Sequence, residues 1–423
     1  MVKSKIYDSG LTLVVEQVSG KSIAFTQMVR VGSQDEQVDE YGLAHFTEHF
    51  MFKSTDSRTT AEINEELEFL GCDVNASTTK ERTMYFFKSI YENFEKALEI
   101  FSDMLQNGIY REDEIDAERG VVVQEINMYA DDSDDIVYES TSETFFKGTK
   151  FAHPILGTID IIQNTPVSKL KSFKEKHYIP QNIVISIVGD ISFEQAEMHI
   201  QKYFPKYFEG KALANQFDKN PLDINIENKY VIVDKDDTQV RLRITIKGVN
   251  SYDADYFTQF IYGIILGGGV TSRLYQRIRE ELGLAYAIYA MGGATSHIGK
   301  IDFFVGTTND NLRVVIQEIC SILTDMATNG VTQRELDKAR NMVKSSFIFR
   351  EENIASKSTK NAQDMLVWGY SYDVDEYLKS IDQVTVQDIN NFAKRIYNEQ
   401  DYVVCVVGKD INIEDLKLFG MKN

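Results

Sequence analysis

Strand-like and helix-like patterns of apolar residues alternate along the whole chain. Segments 11–15 and 23–29 are rich in β-branched and other apolar residues and predict two strands. Segments 74–76 and 84–87 predict two more. Stretches with the periodicity of amphipathic helices lie between and after them.

The clearest helical stretch lies between the second and third of these strands. Thr59 and Glu62 have the spacing of a capping box, which predicts the start of a helix, and Gly71 predicts its end. Its apolar positions follow the helical period at Ile63, Leu67 and Leu70. A second amphipathic helix is marked by Phe94, Leu98, Phe101 and Leu105. This mixture predicts an α+β protein with helices packed on mixed sheets.

Two pairs of short segments recur at nearly the same separation. The string VISIVGDI at 184–191 is similar to VVCVVGKDI at 403–411, and their glycines lie 219 residues apart. Gly32 and Gly248 follow strand-like segments in the same way and lie 216 residues apart. A chance match between β-rich strings would give the same impression. The pattern nevertheless favours duplicated halves of about 210 residues.

The length of the chain also favours more than one domain. At 423 residues it exceeds what one compact core usually supports. A polar stretch with Asn, Asp and Pro at 213–228 predicts the linker. We therefore expect an N-terminal domain at 1–212 and a homologous C-terminal domain at 229–423.

The charge balance argues against polyanionic partners. The formal net charge is −20, which repels nucleic acid and anionic membranes at long range and would attract basic peptides. An acidic surface is also ordinary for a soluble bacterial protein, and that explanation stays open.

The cysteines and the N-terminal sequence predict a cytoplasmic location. Cys72, Cys320 and Cys405 are too few and too scattered for a disulfide framework, and no CxxC pair exists. The first residues have neither a signal-peptide apolar region nor an Arg-rich transit sequence. No run of 18 apolar residues predicts a membrane span. An organellar protein that has lost its presequence would have the same features.

Candidate metal chemistry begins at an HxxEH motif. His45 and His49 are four residues apart, so on a helix both imidazoles face one side and can bind one ion. Glu48 points to the same side. The motif is the reverse of the commoner HExxH. Catalytic zinc usually takes three protein ligands, so a further carboxylate or histidine must come from elsewhere.

An acidic helix predicted at 111–131 offers candidates for that third ligand. Glu118 and Glu125 are seven residues apart, about two turns, and share a face. Apolar neighbours suggest that part of this helix is buried, where a carboxylate needs a partner. From the residues alone, two solvated glutamates on an ordinary helix are the favoured interpretation, and a metal site is the alternative.

The motif and the acidic helix together resemble the inverted-motif zinc peptidases of the pitrilysin or insulinase family. The similar sequences are HFTEHFMFKST at 45–55 and ERGVVVQEI at 118–126. The resemblance implies that Glu125 is the third ligand of one Zn²⁺ per chain and that Glu118 supports the site. The second half lacks HxxEH, as the degenerate repeat of that family does.

The resemblance extends over nearly the whole chain. Segment 71–85 is similar to the edge strand with which the family pairs its substrates, which implies that Asn75 and Ala76 bind substrate. A glycine-rich segment of the second half leads to Arg279 and Tyr286, which are similar to the family's Arg/Tyr pair.

Two positions depart from the family pattern. Ser54 and Cys72 stand where glycines are common. Neither is a ligand, so the departures concern loop geometry and not chemistry. Cys72 is interpreted as a small packed residue.

The resemblance implies a zinc-dependent endopeptidase. Zinc would make water nucleophilic at neutral pH, and Glu48 would act as general base and then general acid. Glu118 would orient a histidine or modulate Glu48. Arg279 and Tyr286 would hold the substrate or stabilise the oxyanion.

Assembly and substrate class are likewise expectations from the family. Its two halves form a clamshell, and chains of this length pair into dimers around a chamber that admits short or unfolded peptides, such as leaders and presequences. A homodimer is expected because this chain carries both the zinc motif and the Arg/Tyr pair. A heterodimer with a sister subunit, or a non-catalytic partner subunit, remains the alternative.

Overall fold

The computed structural model describes residues 2–212 and 220–420. The predicted linker 213–228 lies partly outside the described residues, because 213–219 are not among them. The chain divides into two compact units, which take alternating segments. Unit 1 takes Met1–Asn127, His153–Phe217 and Phe347–Val374, and unit 2 takes Met128–Ala152, Asp218–Ser346 and Asp375–Asn423. The contiguous domain boundaries drawn from the sequence stay a prediction.

Unit 1 is built on a mixed sheet. Its strands are β1 (Val2–Ile6), β2 (Thr12–Gln17), β3 (Ser22–Val29), β4 (Asp73–Thr78), β5 (Thr83–Ile90) and β6 (Ile183–Gly189). They lie in the order β1-β2-β6-β3-β5-β4. The β2–β6 pair is parallel, and the other pairs are antiparallel. The four strands predicted in the first ninety residues are all present in this sheet.

Unit 2 repeats this arrangement. Its strands are β7 (Tyr230–Asp234), β8 (Val240–Gly248), β9 (Ala287–Ala294), β10 (Gly299–Thr307) and β11 (Tyr402–Gly408). They lie in the order β7-β11-β8-β10-β9, with β7–β11 parallel and the other pairs antiparallel. Order and direction are therefore those of the first sheet without β1. This shared topology supports the duplication predicted from the sequence.

Helices surround both sheets and confirm the α+β mixture. They are α1 (Leu43–Phe50), α2 (Thr60–Phe69), α3 (Phe94–Asn107), α4 (Glu112–Asp131), α5 (Ser133–Phe145), α6 (Ile159–Asn164), α7 (Val167–His177), α8 (Phe193–Tyr203), α9 (Tyr256–Gly267), α10 (Asn309–Thr328), α11 (Gln333–Glu351), α12 (Ile354–Val367), α13 (Val374–Gln383), α14 (Val386–Asn398) and α15 (Ile413–Leu416), with a π-helix at Tyr275–Glu281. In the described ranges, no helix combines the length and the apolar character needed to cross a bilayer.

The capping box predicted for α2 is present in full. Thr59 accepts a hydrogen bond from the backbone N–H of Glu62, whose carboxylate accepts one from the backbone N–H of Thr59. Gly71 follows the helix with φ +66°, the left-handed region that favours glycine. The local sequence therefore determines both ends of this helix.

The central strands of each sheet are buried on both faces. On the first sheet, Val15 and Phe25 pack into the main core of unit 1, while Val14 and Met28 face Ala362 and its neighbours on α12. On the second sheet, α5 covers the face opposite the main core of unit 2. Burying each large apolar side chain contributes about 1.5–3 kcal/mol. Two segments join the unit opposite to that of their neighbours in sequence. Met128–Ala152, which contains α5, belongs to unit 2, and Phe347–Val374, which contains α12, belongs to unit 1.

Candidate metal centre

The helix that carries the histidines begins without a capping side chain of its own. Its first flanking residue, Gly42, has φ +97°, which favours glycine. The free N–H groups at this end are bound instead by Glu36, which precedes the helix. Its carboxylate accepts hydrogen bonds from the backbone N–H of Gly42 at 2.9 Å and of Ala44 at 2.7 Å. A buried carboxylate thus fixes the start of α1, and its negative charge interacts favourably with the positive end of the helix dipole.

Glu36 is itself held by a histidine from a distant segment. The Glu36 side chain is fully buried, and its Oε2 lies 3.0 Å from Nε2 of His153. The imidazole of His153 stacks on Tyr41 with ring centroids 3.7 Å apart, and Lys80 donates a hydrogen bond to its backbone carbonyl. Burial raises the pKa of Glu36, while His153 and the two backbone N–H groups act to lower it.

The three predicted ligands converge on one point. Nε2 of His45 and Nε2 of His49 lie 3.3 Å apart. Oε2 of Glu125, from α4, lies 3.7 Å from the first nitrogen and 3.6 Å from the second. In tetrahedral zinc sites with bonds of about 2.0–2.1 Å, neighbouring ligand atoms are about 3.4 Å apart. The donor set and its spacing therefore fit Zn²⁺.

A second contact fixes the ring of His49. Its Nδ1 lies 2.8 Å from Oε1 of Glu118, which leaves Nε2 to face the ligand cluster. Lys53 forms an ion pair with the other oxygen of Glu118. Burial opposes a charge on His49, but Glu118 and then Glu125 raise its pKa to about 9. Carboxylate–histidine pairs of this kind orient metal ligands.

His45 is in a different environment from His49. Burial, and then the proximity of His49, lower the pKa of His45 to about 4, so its imidazole is neutral at pH 7. Its Nδ1 is buried and has no hydrogen-bond partner among the described residues. A neutral imidazole with a free Nε2 is the form that binds a metal.

Glu48 lies beside the cluster without being part of it. Burial raises the pKa of its carboxyl group, although a hydrogen bond from the hydroxyl of Thr78 lowers it in part. Thr78 is the last residue of β4, so this strand reaches the proposed base. A buried carboxyl group of raised pKa suits proton transfer near neutral pH.

The predicted substrate residues lie on the outer edge of the sheet. Asn75 and Ala76 pair with Phe86 and Tyr85 on β5, and β4 ends the strand order of the described sheet. Asn75 is exposed, and its Oδ1 accepts a hydrogen bond from the N–H of Ala76 at 2.8 Å. An edge in this position suits strand addition, and their role in substrate binding stays a prediction.

The Arg/Tyr pair belongs to unit 2. Arg279 lies in the π-helix, with its guanidinium 4.8 Å from the ring centre of Tyr275. Tyr286 is 46% exposed and directly precedes β9. Its backbone N–H donates a hydrogen bond of 3.1 Å to the carbonyl of Gly306. π-helical turns are frequent at functional sites. The predicted role of both residues in catalysis stays a prediction.

Several residues of the site could not be recognised from the sequence. Glu36, His153, Lys53 and Thr78 carry no metal-ligand spacing. His153 and Glu36 are separated by 117 residues, so only the folded chain brings them together.

Comparison with known proteins supports the same chemistry. Residues 12–159 match the family model described as Insulinase (Peptidase family M16), and residues 166–343 match the Peptidase M16 inactive domain. An uncharacterized zinc protease of Rickettsia bellii is 32% identical over 92% of this chain and 93% of its own. An uncharacterized zinc protease of Bacillus subtilis is 28% identical over 98% of this chain and 100% of its own chain.

Solved structures share the fold. A protease from Helicobacter pylori has a TM-score of 0.89 at 23% identity, and it matches over 96% of this chain and 99% of its own. A peptidase M16 inactive domain from Pseudomonas fluorescens has a TM-score of 0.88 at 19% identity, over 97% of this chain and 98% of its own. The likeness therefore covers almost the whole chain.

Proposed function

The chain belongs to the insulinase family of peptidases, family M16, and on that basis we propose that it is a zinc-dependent endopeptidase with one Zn²⁺ per chain. The observation that carries this proposal is the convergence of His45, His49 and Glu125 within a single cluster. Glu48 lies next to that cluster but remains free to exchange protons. Incomplete versions of this set would be expected in a non-catalytic subunit.

The protein's own residues divide the work of peptide hydrolysis. A bound zinc ion supplies Lewis acidity, which lowers the pKa of a bound water to about 7 and polarises a carbonyl group. Glu48 accepts the proton of the attacking water and later donates it to the leaving amine. Glu118 and Lys53 hold His49 in its orientation and tautomer. Glu36 fixes the helix on which His45, Glu48 and His49 are carried.

The substrate is proposed to bind as an extended strand. Pairing along Asn75 and Ala76 would use the backbone of the peptide, so the sequence demand would be low. Thr78 is on the same strand and donates to Glu48, which supports placing the scissile bond near that end of β4. Arg279 and Tyr286 are proposed to hold the substrate or to stabilise the oxyanion.

Because the chain belongs to this family, we extend the proposal to the substrate class and to the assembly. The substrates are short or unfolded peptides, such as leaders and presequences, admitted to an enclosed chamber. The chain acts as a homodimer in the cytoplasm of a bacterium. A partner-dependent subunit of a processing peptidase is the alternative, and the complete ligand set favours the self-sufficient enzyme.

The deciding experiment separates metal binding from proton transfer. Zinc content and cleavage of a quenched peptide library are measured on wild type, Glu48→Gln and His49→Ala. Wild type and Glu48→Gln should each hold one zinc per chain, while Glu48→Gln loses cleavage by roughly 10²–10⁴-fold or more. His49→Ala should lose both zinc and cleavage.

Other outcomes would contradict the proposal in different ways. Normal cleavage by Glu48→Gln would show that another group transfers the proton. Wild-type protein that binds zinc but cleaves no library peptide would favour the partner-dependent subunit. Wild-type protein that takes up no zinc after metal loading would overturn the peptidase assignment.

A further inference from the structure

The side chain of Tyr286 lies over a glycine of the second sheet. Gly306, on β10, pairs with Arg241 on β8 at one side and with Ala287 on β9 at the other. A Cβ atom at Gly306 would lie 2.2 Å from Cζ, 2.3 Å from Oη and 2.5 Å from Cε1 of Tyr286. Glycine weakens a strand and often marks a place where another group approaches closely. Only a glycine at position 306 therefore leaves room for the phenol ring in this position.

Arg241 contacts the ring of Tyr286 from the neighbouring strand. Its guanidinium carbon lies 5.6 Å from the centre of the ring. A guanidinium group within about 6 Å of an aromatic ring centre is attracted to it electrostatically. Because Arg241 is the cross-strand partner of Gly306, the phenol reaches from the start of β9 across β10 to the side chain on β8. Three neighbouring strands thus contribute to one arrangement.

The guanidinium group of Arg241 is itself held on two sides. Its Nε donates to the carboxylate of Asp134, near the start of α5, and its Nη1 donates to Oε1 of Gln239 at 3.0 Å. The side chain of Arg241 is only 15% exposed. Charge-assisted hydrogen bonds are roughly twice as strong as neutral ones. Arg241 therefore presents its charge to the ring in one defined position.

The hydroxyl of Tyr286 is left available for a ligand. The residue is 46% exposed, and its hydroxyl has no hydrogen-bond partner among the residues that the structure describes. Burial raises the pKa of Tyr286, the charge of Arg241 opposes this rise, and Asp134 and Asp237 add to it. The phenol is therefore protonated at neutral pH and can donate a hydrogen bond.

We propose that Arg241 and Gly306 are positioning residues, which hold Tyr286 where its hydroxyl contacts the substrate. The inference rests on the role proposed above for Tyr286. Arg241 fixes the ring through the contact with its face, and its positive charge makes the hydroxyl a better donor to developing negative charge. Gly306 provides the space. A donor that is held in advance needs no reordering when the substrate reacts.

A double-mutant cycle tests this role in catalysis. The variants are Arg241→Met, Tyr286→Phe and the two combined, with kcat/KM measured on a quenched peptide by the zinc-loaded protein. Tyr286→Phe should lower kcat/KM at least about tenfold, and Arg241→Met about two- to fivefold. Arg241→Met should cause no further loss in the Tyr286→Phe background, because that ring has no hydroxyl to position. Arg313→Met removes an exposed arginine that pairs with Asp415, and this control should leave kcat/KM unchanged.

Gly306→Ala tests the second support. The added methyl group would displace the ring, which is the free end of a flexible side chain and can turn aside, so the variant should fold. Its kcat/KM should fall to that of Tyr286→Phe, while its midpoint of urea unfolding stays close to that of wild type. Gly293→Ala is the control, because a methyl group on this glycine of β9 would meet open space. If Arg241→Met does not fold, Gly306→Ala takes its place in the cycle.

Titration of Tyr286 tests the contact without any use of activity. With a carbon-13 label at Cζ of tyrosine, NMR follows the ionisation of each phenol, and the signal of Tyr286 is the one that Tyr286→Phe lacks. Arg241→Met should raise the pKa of Tyr286, because the positive charge that favours the phenolate is gone. Arg241→Lys should keep the pKa closer to the wild-type value, and Arg313→Met should leave it unchanged.

Three results would overturn the inference. One is the same loss of kcat/KM from Arg241→Met in the wild-type and Tyr286→Phe backgrounds, which would show that Arg241 acts independently of Tyr286. Another is an unchanged pKa of Tyr286 in Arg241→Met, which would show that the two side chains are not in contact. The third is full activity of Tyr286→Phe. Together with a shifted pKa, that result would refute the role proposed for Tyr286 and not the contact.

Discussion

At the amino end of α1, Glu36 joins the start of the helix to a histidine that is remote in sequence. Its carboxylate accepts from two backbone N–H groups of the helix start and from His153. Every histidine of the ligand cluster is carried by this helix. The position of the ligands therefore depends on a side chain that binds no metal.

Glu36→Gln should loosen this anchor. An amide can accept only through its oxygen, so either the N–H of Ala44, or the N–H of Gly42 together with His153, would face an amide N–H instead of an acceptor. We expect the free energy of unfolding to fall by roughly 1–3 kcal/mol and zinc binding to weaken. Urea unfolding and competition with a zinc chelator measure the two effects. Glu65→Gln, an exposed position on α2, should change neither, and unaltered zinc affinity in Glu36→Gln would show that the anchor is purely structural.

Glu118→Gln should act on the metal more than on the fold. The substitution keeps an acceptor for His49 but removes the negative charge that Lys53 and His49 share. Loss of such a partner typically weakens metal binding 10–100-fold. The dissociation constant for zinc, measured against a chelator, should rise in that range. Glu112→Gln, exposed on the same helix, is the control, and an equal effect of both variants would contradict the role of Glu118.

At the residue scale, the sequence is informative where spacing carries the information. His45 and His49 follow from helix geometry alone, since residues four apart share a face. Glu125 could be assigned only through the family resemblance, because its carboxylate comes from another helix. Glu36 and His153 were not predicted at all, since neither has a local signal that distinguishes it from a surface residue.

At the scale of elements, an arginine connects the loop after α9 to two helices of unit 2. Arg273 binds both oxygens of Glu335 at 2.7 and 3.1 Å, Asp325 on α10 at 2.7 Å and the carbonyl of Gly330 at 2.9 Å. Burial would raise the pKa of Glu335, but Arg273 and Thr332 lower it to about 2.

The stability that Glu335 provides should be lost in acid. Its folded pKa is depressed, so its contribution is fully present above the unfolded value near 4.5 and disappears as the pH falls through about 2. Allowing for solvent screening, the contribution is on the order of 1–2 kcal/mol. Urea unfolding of wild type and Glu335→Gln should differ by this amount at pH 7, and the difference should shrink below pH 4.5 and vanish only near pH 2. A difference that is constant with pH would show that the charge is not responsible.

Elements were predicted well where the signal is local and poorly where it is not. The strands near the start and the capped helix α2 agree with the sequence patterns, because β-branched runs and caps act within a few residues. The sequence did not predict that α5 packs in unit 2 and α12 in unit 1, each apart from the segments next to it in sequence. An apolar helix face indicates that a surface must be covered but not which sheet will cover it.

At the scale of the whole molecule, two units of the same strand topology carry different chemistry. The ligand set lies in unit 1, and the described part of unit 2 contains no comparable cluster of metal ligands. Duplication could be recognised from the sequence because the two glycine-ended strands β6 and β11 are similar and both are completely buried. The partner of the chain could not be recognised from the sequence, since surface composition does not identify an interface.

A homodimer is the expected assembly. Analytical ultracentrifugation of purified, zinc-loaded protein should give twice the chain mass of 48.4 kDa, together with peptidase activity. A species of single-chain mass that lacks activity until a sister subunit is added would favour the heterodimer. An active species of single-chain mass would contradict both assemblies.

The placement of α12 bears on when the protein can finish folding during synthesis. The second face of the first sheet, and with it unit 1, is completed by Phe347–Val374, which the ribosome makes long after the HxxEH motif. A nascent chain therefore carries its metal ligands well before α12 can cover the second face of the first sheet. We therefore expect the fold around the metal ligands to be complete only when most of the 423 residues have been translated.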